Sequence, residues 1–379
     1  MTTAADGVGV SRGGPLAGRF GPWLWGPGVD LAAFGGSALL SLLFAVGIQW
    51  GVEDSENVPL PDWAWFVCIL GVDVAHVYST LFRTYLDGQE LRRHPLRYWA
   101  LPVALLIGLW WLRQQGGMAF WRVLAYLAVF HFVRQQVGWA AVYRSRAHQG
   151  WLDRWVDEVA IYLVTLYPVL WWHAHLEGRN FAWFAHGDFV PLASQASSWL
   201  NVLGGVTLVA SAAFLARQLQ LFRQRRVVYV GKCIVVLSTA LLWNVGIVWT
   251  NTDVGFTLTN VLAHGIPYMV LLWFYGKARA QEAPQLALSG VVRTGAWAFA
   301  TLLWVLALAE EFFWDRAVNF ERDWLFGDGL NLAPASDELQ SLAVAFLALP
   351  QVLHYALDGV LWRRAEAKSR PAQRSAIGA

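Results

Sequence analysis

Residues 338–362 read ELQSLAVAFLALPQVLHYALDGVLW. The stretch is longer than the roughly 20 apolar residues that a helix needs to cross the hydrocarbon core of a bilayer. Glu338 stands at its edge, and the strongly polar side chains within it are Gln340, Gln351, His354 and Asp358. Such a segment reads as a transmembrane helix, and ionisable groups inside it call for a functional reason.

The rest of the chain has the same character. Of its 379 residues, 57% are hydrophobic and 14% charged, where a soluble globular protein carries about 25% charged residues. A net charge of +2, spread along the chain, gives no nucleic-acid signature. Hydropathy places spans near 30–50, 63–86, 96–112, 117–143, 156–174, 196–216, 227–249, 254–275, 291–309 and 338–362. The expected fold class is therefore all-α: a polytopic transmembrane helical bundle of about ten spans. The third span is the shortest.

Basic residues concentrate in cytoplasmic loops of membrane proteins, and here they fall in alternate connections. Arg92, Arg93 and Arg97 mark one, Arg144, Arg146 and Arg154 the next, and Arg217, Arg223, Arg225 and Arg226 another. Lys277, Arg279 and Arg293 follow, and the C-terminal tail adds Arg363, Arg364, Lys368, Arg370 and Arg374. The intervening connections are acidic or neutral, with Glu53, Asp54 and Glu56 in one and Asn251, Thr252 and Asp253 in another. This alternation predicts both termini in the cytoplasm. It divides the chain into an N-terminal arm (1–28), one transmembrane domain (29–363) and a disordered tail (364–379). The arm lacks a secretory-signal pattern. Cys68 and Cys233 fall inside spans and read as small buried hydrophobes. The bacterial inner membrane is the expected location.

Four spans carry a histidine deep inside: His76, His131, His264 and His354. In this topology all four spans run from outside to inside. Counted from their outer ends, the four residues differ in depth by about 6 residues, roughly 9 Å along a helix. Tilt can close much of that, so the four imidazoles can meet. Each has a polar neighbour three or four residues away on its own helix, where side chains share a face. These are Asp73 for His76, Gln135 for His131, Asn260 for His264, and both Gln351 and Asp358 for His354. Metal-binding histidines commonly hand their second ring N–H to such groups. Arg134, one turn beyond His131, is expected to be neutralised by Asp73 or Asp358. Arg83 and Lys232 are expected to snorkel toward the surface.

Four neutral imidazoles favour Fe, Zn or Cu over Ca or Mg. Four ligands close the shell of structural Zn, whereas iron would keep positions for dioxygen or substrate. Haem would use only two of the histidines. Fe(II) is thus the expected ion. The alternative is a proton-coupled transporter that uses His, Asp and Arg as a relay, although the two similar halves common in transporters are not visible. A scaffolding role would want a large partner-facing loop, and only the connection 310–338 is long.

His131-Phe132 and the run Pro350-Gln-Val-Leu-His354-Tyr-Ala-Leu-Asp358 resemble segments of the Brp/Blh-type membrane oxygenases that cleave β-carotene to retinal. His76 and His264 fall where that family's first and third histidine helices lie. The family's Pro-His-Gly and His-Phe-Gly motifs are not reproduced here, and this chain has more spans. The resemblance implies one non-haem iron among His76, His131, His264 and His354, acting with dioxygen on an apolar, membrane-dissolved lipid or carotenoid-like substrate. Asp73, Gln135, Asn260, Gln351 and Asp358 would then support the ligands, and Arg134 would balance charge or steady a reduced oxygen species. The aromatic stretch with Phe312, Phe313, Trp314, Phe320, Trp324 and Phe326 is expected on the membrane surface, as a lid or an anchor.

Overall fold

The structure is a computed structural model and describes residues 19–50, 60–176, 183–192, 197–250, 252–362, 371, 372 and 376. Among the described residues, seven helices are long and apolar enough to cross a membrane, as expected of an integral membrane protein. They are α1 (Pro27–Ile48), α2 (Asp62–Arg83), α7 (Trp199–Arg225), α8 (Val230–Trp249), α9 (Asp253–Glu282), α11 (Ala296–Asn319) and α13 (Asp337–Leu361). Between α2 and α7 lie a short α3 (Gly88–Arg93), α4 (Leu101–Gln114), α5 (Gly117–Arg146) and α6 (Trp151–His173). Short α10 (Ala287–Thr294) and α12 (Asp323–Phe326) complete the set. Among the described residues the only β pairing is an isolated bridge between Phe20 and Val228.

Helix therefore occupies all ten expected spans, and seven of them satisfy length and apolarity together. The remaining three fall short for chemical reasons. Helix α4 has 14 residues. Helix α5 carries Arg122, Arg134, Arg144 and Arg146, and α6 carries Asp153, Arg154, Asp157 and Glu158. The acidic connection with Glu53, Asp54 and Glu56, most of the N-terminal arm and most of the tail lie outside the described residues. Ala372 and Ala376, within the expected disordered tail, are buried, and the Ala376 carbonyl accepts from Trp25 Nε1 at 3.0 Å.

Local chemistry fixes the helix ends. Thr252 and Ser336 are N-caps, accepting from Gly255 N (3.0 Å) and Leu339 N (3.3 Å). Gly116 and Gly295, both at φ 124°, separate α4 from α5 and α10 from α11 in a conformation that suits glycine. Apolar side chains on α7, including Val202, Leu208 and Val209, point outward, as they would toward lipid. Trp151, Trp199 and Trp297 are exposed at the starts of α6, α7 and α11, where amphipathic rings sit at headgroup level.

Helix α9 is the central post: from Val254 to Leu272 no residue is exposed, and only Thr257, Ala263, Ile266, Met269 and Val270 are half-buried. Small residues allow its neighbours to come close. A Cβ added to Gly265 would lie 2.7 Å from Val72 Cγ1 and 3.1 Å from Val72 O, so α2 packs directly on the α9 backbone.

The inner charges do not snorkel. Arg83 is fully buried, 3.4 Å from Glu90, which also accepts from Tyr98 Oη at 2.6 Å. Lys232 is 2% exposed and pairs with Asp157 at 3.0 Å and Gln149 at 2.8 Å. Acidic partners on neighbouring helices made the longer route to the surface unnecessary.

Candidate metal centre

Helices α2, α5, α9 and α13 each contribute one histidine. Their N-terminal halves line one cavity, and their histidines lie further along each helix. His76 follows a π-helical stretch, Trp65–Val74, a geometry frequent at functional sites. All four histidines are buried, at 0%, 6%, 1% and 1% exposure for His76, His131, His264 and His354.

The four rings form a closed square. Centroid separations are 4.7 Å for His76–His264, 4.9 Å for His264–His131, 4.8 Å for His131–His354 and 4.9 Å for His354–His76. Each ring is steeply inclined to its neighbours, at 71–90°. His264 Nε2 is 3.0 Å from His76 Nε2, and His354 Nε2 is 3.2 Å from His131 Nε2. Ligand atoms of His76, His264 and His354 all lie within 4.8 Å of one another. Two nitrogens bound to one ion at about 2.0–2.1 Å stand about 2.9–3.4 Å apart for ligand angles from square to tetrahedral. The His264–His76 and His354–His131 spacings fall inside that range, whereas the group of His76, His264 and His354 spreads over as much as 4.8 Å and does not include His131.

The outer ring nitrogens are partly committed. His76 Nδ1 is 3.2 Å from the Val72 carbonyl, which can only accept, so the proton sits on Nδ1 and the Nε2 lone pair faces the centre. His354 Nδ1 is 2.8 Å from Thr80 Oγ1, which is 3.2 Å from Tyr268 Oη. Asp358 lies against Tyr268 and Trp362. With Tyr268 donating to Asp358, Thr80 donates to Tyr268 and accepts from His354 Nδ1–H, which again leaves Nε2 free. His264 Nδ1 has no hydrogen-bond partner. His264 also borders a cavity of about 10 Å³, walled by Gln136, Ser238, Thr239, Thr259 and Asn260. That volume matches one water molecule.

The residues expected to support the ligands divide. Asp73 Oδ1 is 3.7 Å from His76 Nδ1, adjacent but beyond hydrogen-bonding distance. Asp358 reaches His354 through Tyr268 and Thr80. Asn260 shares the small cavity with His264, while its own Nδ2 donates to the Phe256 carbonyl at 2.9 Å. Gln351 donates to Tyr355 Oη at 2.6 Å, and Tyr355 stacks on His131 at 4.5 Å. Gln135 accepts from Trp139 Nε1 at 3.4 Å instead of serving His131. Arg134 is on an outward face and donates to Tyr162 Oη, away from both Asp73 and Asp358. It continues the exposed stripe of Tyr126 and Phe130 at four-residue spacing.

Sequence reasoning missed Thr80, Tyr268 and Tyr355. Thr80 stands four residues beyond His76, a spacing that could have been noticed; hydroxyl residues are common in spans and gave no other signal.

A second cavity, of about 320 Å³, lies on the N-terminal side of the histidines and reaches Asp73, Val261 and Gln351. Its carboxylates are Asp73, Asp253, Glu310 and Glu311, facing one cation, Arg322. Trp65, Trp121, Trp183, Phe184 and Trp314 supply aromatic walls. Glu310 and Glu311 were expected at the edge of a loop, yet α11 continues to Asn319. Glu310 accepts from Tyr78 Oη at 2.6 Å and Trp314 Nε1 at 3.3 Å, which ties the extension to α2. Of the aromatic stretch from Phe312 to Phe326, Trp314 faces this cavity, while Phe313, Phe320 and Trp324 are exposed.

In comparisons with known proteins, no family model, curated protein or solved structure matches the chain.

Proposed function

We propose that this protein is a membrane-embedded metalloenzyme in which His76, His131, His264 and His354 together hold one transition-metal ion, iron in the first instance. The observation that carries this reading is the pair of Nε2–Nε2 separations, 3.0 and 3.2 Å, at the meeting point of four helices. Nitrogens this close leave no slot for a porphyrin plane between them, which favours a single ion over haem. The arrangement is also the one that the resemblance to Brp/Blh-type oxygenases implies.

When bound, iron would supply a Lewis acid and a redox partner for dioxygen. The chain does the rest. Val72 and Thr80 hold two imidazoles in the ligating tautomer. A dication among neutral ligands in low dielectric needs nearby negative charge, and Asp73 and Asp358 stand one residue layer away. Tyr268, Tyr355 and Phe132 surround the rings and exclude water. A carotenoid-like substrate suits the charged cavity poorly, because a hydrocarbon there would leave its carboxylates desolvated without partners.

The full topology belongs to the same proposal: ten spans, both termini cytoplasmic, with α4, α5 and α6 crossing under protection from their neighbours. The transporter reading draws on the same polar groups, but the four rings are clustered side by side instead of being strung along a path through the bilayer.

Elemental analysis of the purified protein tests the reading. About one iron per chain, lost in His264→Ala and His354→Ala, supports it. Protein that stays folded and metal-free after anaerobic loading with Fe(II) refutes it.

A further inference from the structure

We propose that the 320 Å³ cavity on the N-terminal side of the histidines is a binding site for an organic cation, a primary or quaternary ammonium group on a small apolar body.

Charge is the first argument. Among the described residues, Asp73, Asp253, Glu310 and Glu311 line the space and Arg322 is the one cation that opposes them. Asp253 occupies the first turn of α9, where the helix dipole favours an anion. Glu310 and Glu311 are adjacent on α11 and share the cavity with Asp73, so a bound cation would relieve their mutual repulsion. Asp73 Oδ1 is shielded and has no hydrogen-bond partner.

Spacing decides the kind of cation. Among the described residues, the only group of donor side chains close enough to share one ion is His76, His264 and His354. The carboxylates are spread around the wall, which suits a larger, diffuse charge better than a metal ion. Tryptophan faces attract such cations, and Trp65 already carries one: the Arg322 guanidinium lies 4.5 Å over its ring. Trp183 and Phe184 close the wall from a loop in which Asp188 accepts from both of their backbone N–H groups, at 2.9 and 2.8 Å. The volume is at the low end of the roughly 300–1,000 Å³ of small-molecule sites.

The cavity ends on Asp73, next to His76, and on Gln351, which bonds the tyrosine stacked on His131. That the cation is also the substrate of the histidine centre rests on the metal reading above; that the cavity binds it does not.

Isothermal titration of the purified full-length protein with benzyltrimethylammonium tests the site, with phenylacetate as the anionic control. Saturable one-site binding of the cation and none of the anion is expected. Glu311→Gln combined with Asp253→Asn should raise Kd at least tenfold. Absent cation binding, equal binding of phenylacetate, or an unchanged Kd in a folded double variant overturns the proposal. Repeating the titration after chelator treatment separates the two claims, because cation binding that persists in protein with no metal capacity sinks only the metal reading. Dodecylamine in nanodiscs supplies the same group from the membrane. Its competition with the soluble probe assigns a lipid-borne ligand, and the lack of competition a soluble one, with the ammonium site standing in both cases.

Discussion

Gly265 packs so tightly on Val72 that a methyl group at its Cα would come within 2.7 Å of Val72 Cγ1. The contact sits one residue from His264 and four from His76, so it sets the distance between the two rings. Without it the helices would stand further apart and the 3.0 Å approach of the two Nε2 atoms could not form.

Gly265→Ala should therefore push α2 from α9 at an overpacking cost of about 1–3 kcal/mol. Bulkier Gly265→Val should abolish metal retention while circular dichroism still reports a helical protein. Wild-type metal content in Gly265→Val would show that this contact does not set the ring spacing.

Thr80 orients His354 without facing the centre. Thr80→Val keeps the shape and removes the hydroxyl, and loss of such a supporting partner typically lowers metal affinity 10–100-fold. Thr80→Ser should restore it. Competition with a chromogenic chelator measures the difference, and equal affinities for all three proteins would remove Thr80 from the account.

The buried Asp157 serves two cations, Lys232 at 3.0 Å and Arg144 at 3.2 Å. Asp157→Asn leaves Lys232 without a carboxylate and Arg144 with Glu158 alone (3.3 Å), whereas Lys232→Met leaves Asp157 paired with Arg144. Breaking a buried pair costs about 3–5 kcal/mol, so thermal unfolding in detergent should show Asp157→Asn as the less stable of the two. The reverse order would mean that Arg144 does not neutralise Asp157.

The depth of the four histidines was legible because an apolar span makes each polar side chain conspicuous. Their meeting was an expectation built on the parallel course that the basic loops suggest for the four spans. What escaped was azimuth. Arg134 is three residues from His131, a spacing compatible with the same face, but it also lies four residues beyond Phe130, which is 62% exposed. That second neighbour decides its direction, and only packing reveals which one wins. Gln351 was legible as a neighbour of His354, yet its partner is Tyr355, because a flexible amide takes the nearest hydroxyl. The acidic cavity was hidden for another reason: its walls come from α2, α5, α9, α11, α13 and three loops, and no local pattern joins them.

Ten spans with both termini inside predict that reporter fusions at residue 379 and in the connection near Arg146 are cytoplasmic, and that a fusion near Asn331 is external. Alkaline phosphatase and green fluorescent protein fusions read the two sides. An external signal near Arg146 would remove α5 or the helix before it from the spanning set.

X-ray absorption at the metal edge of the purified, iron-loaded protein bears most directly on the histidine centre. The account predicts a first shell containing about four nitrogens at about 2.0–2.2 Å, with imidazole multiple scattering that falls by one ring in His131→Ala. A shell of oxygen or sulfur alone, or a spectrum unchanged by removing His131, would contradict it.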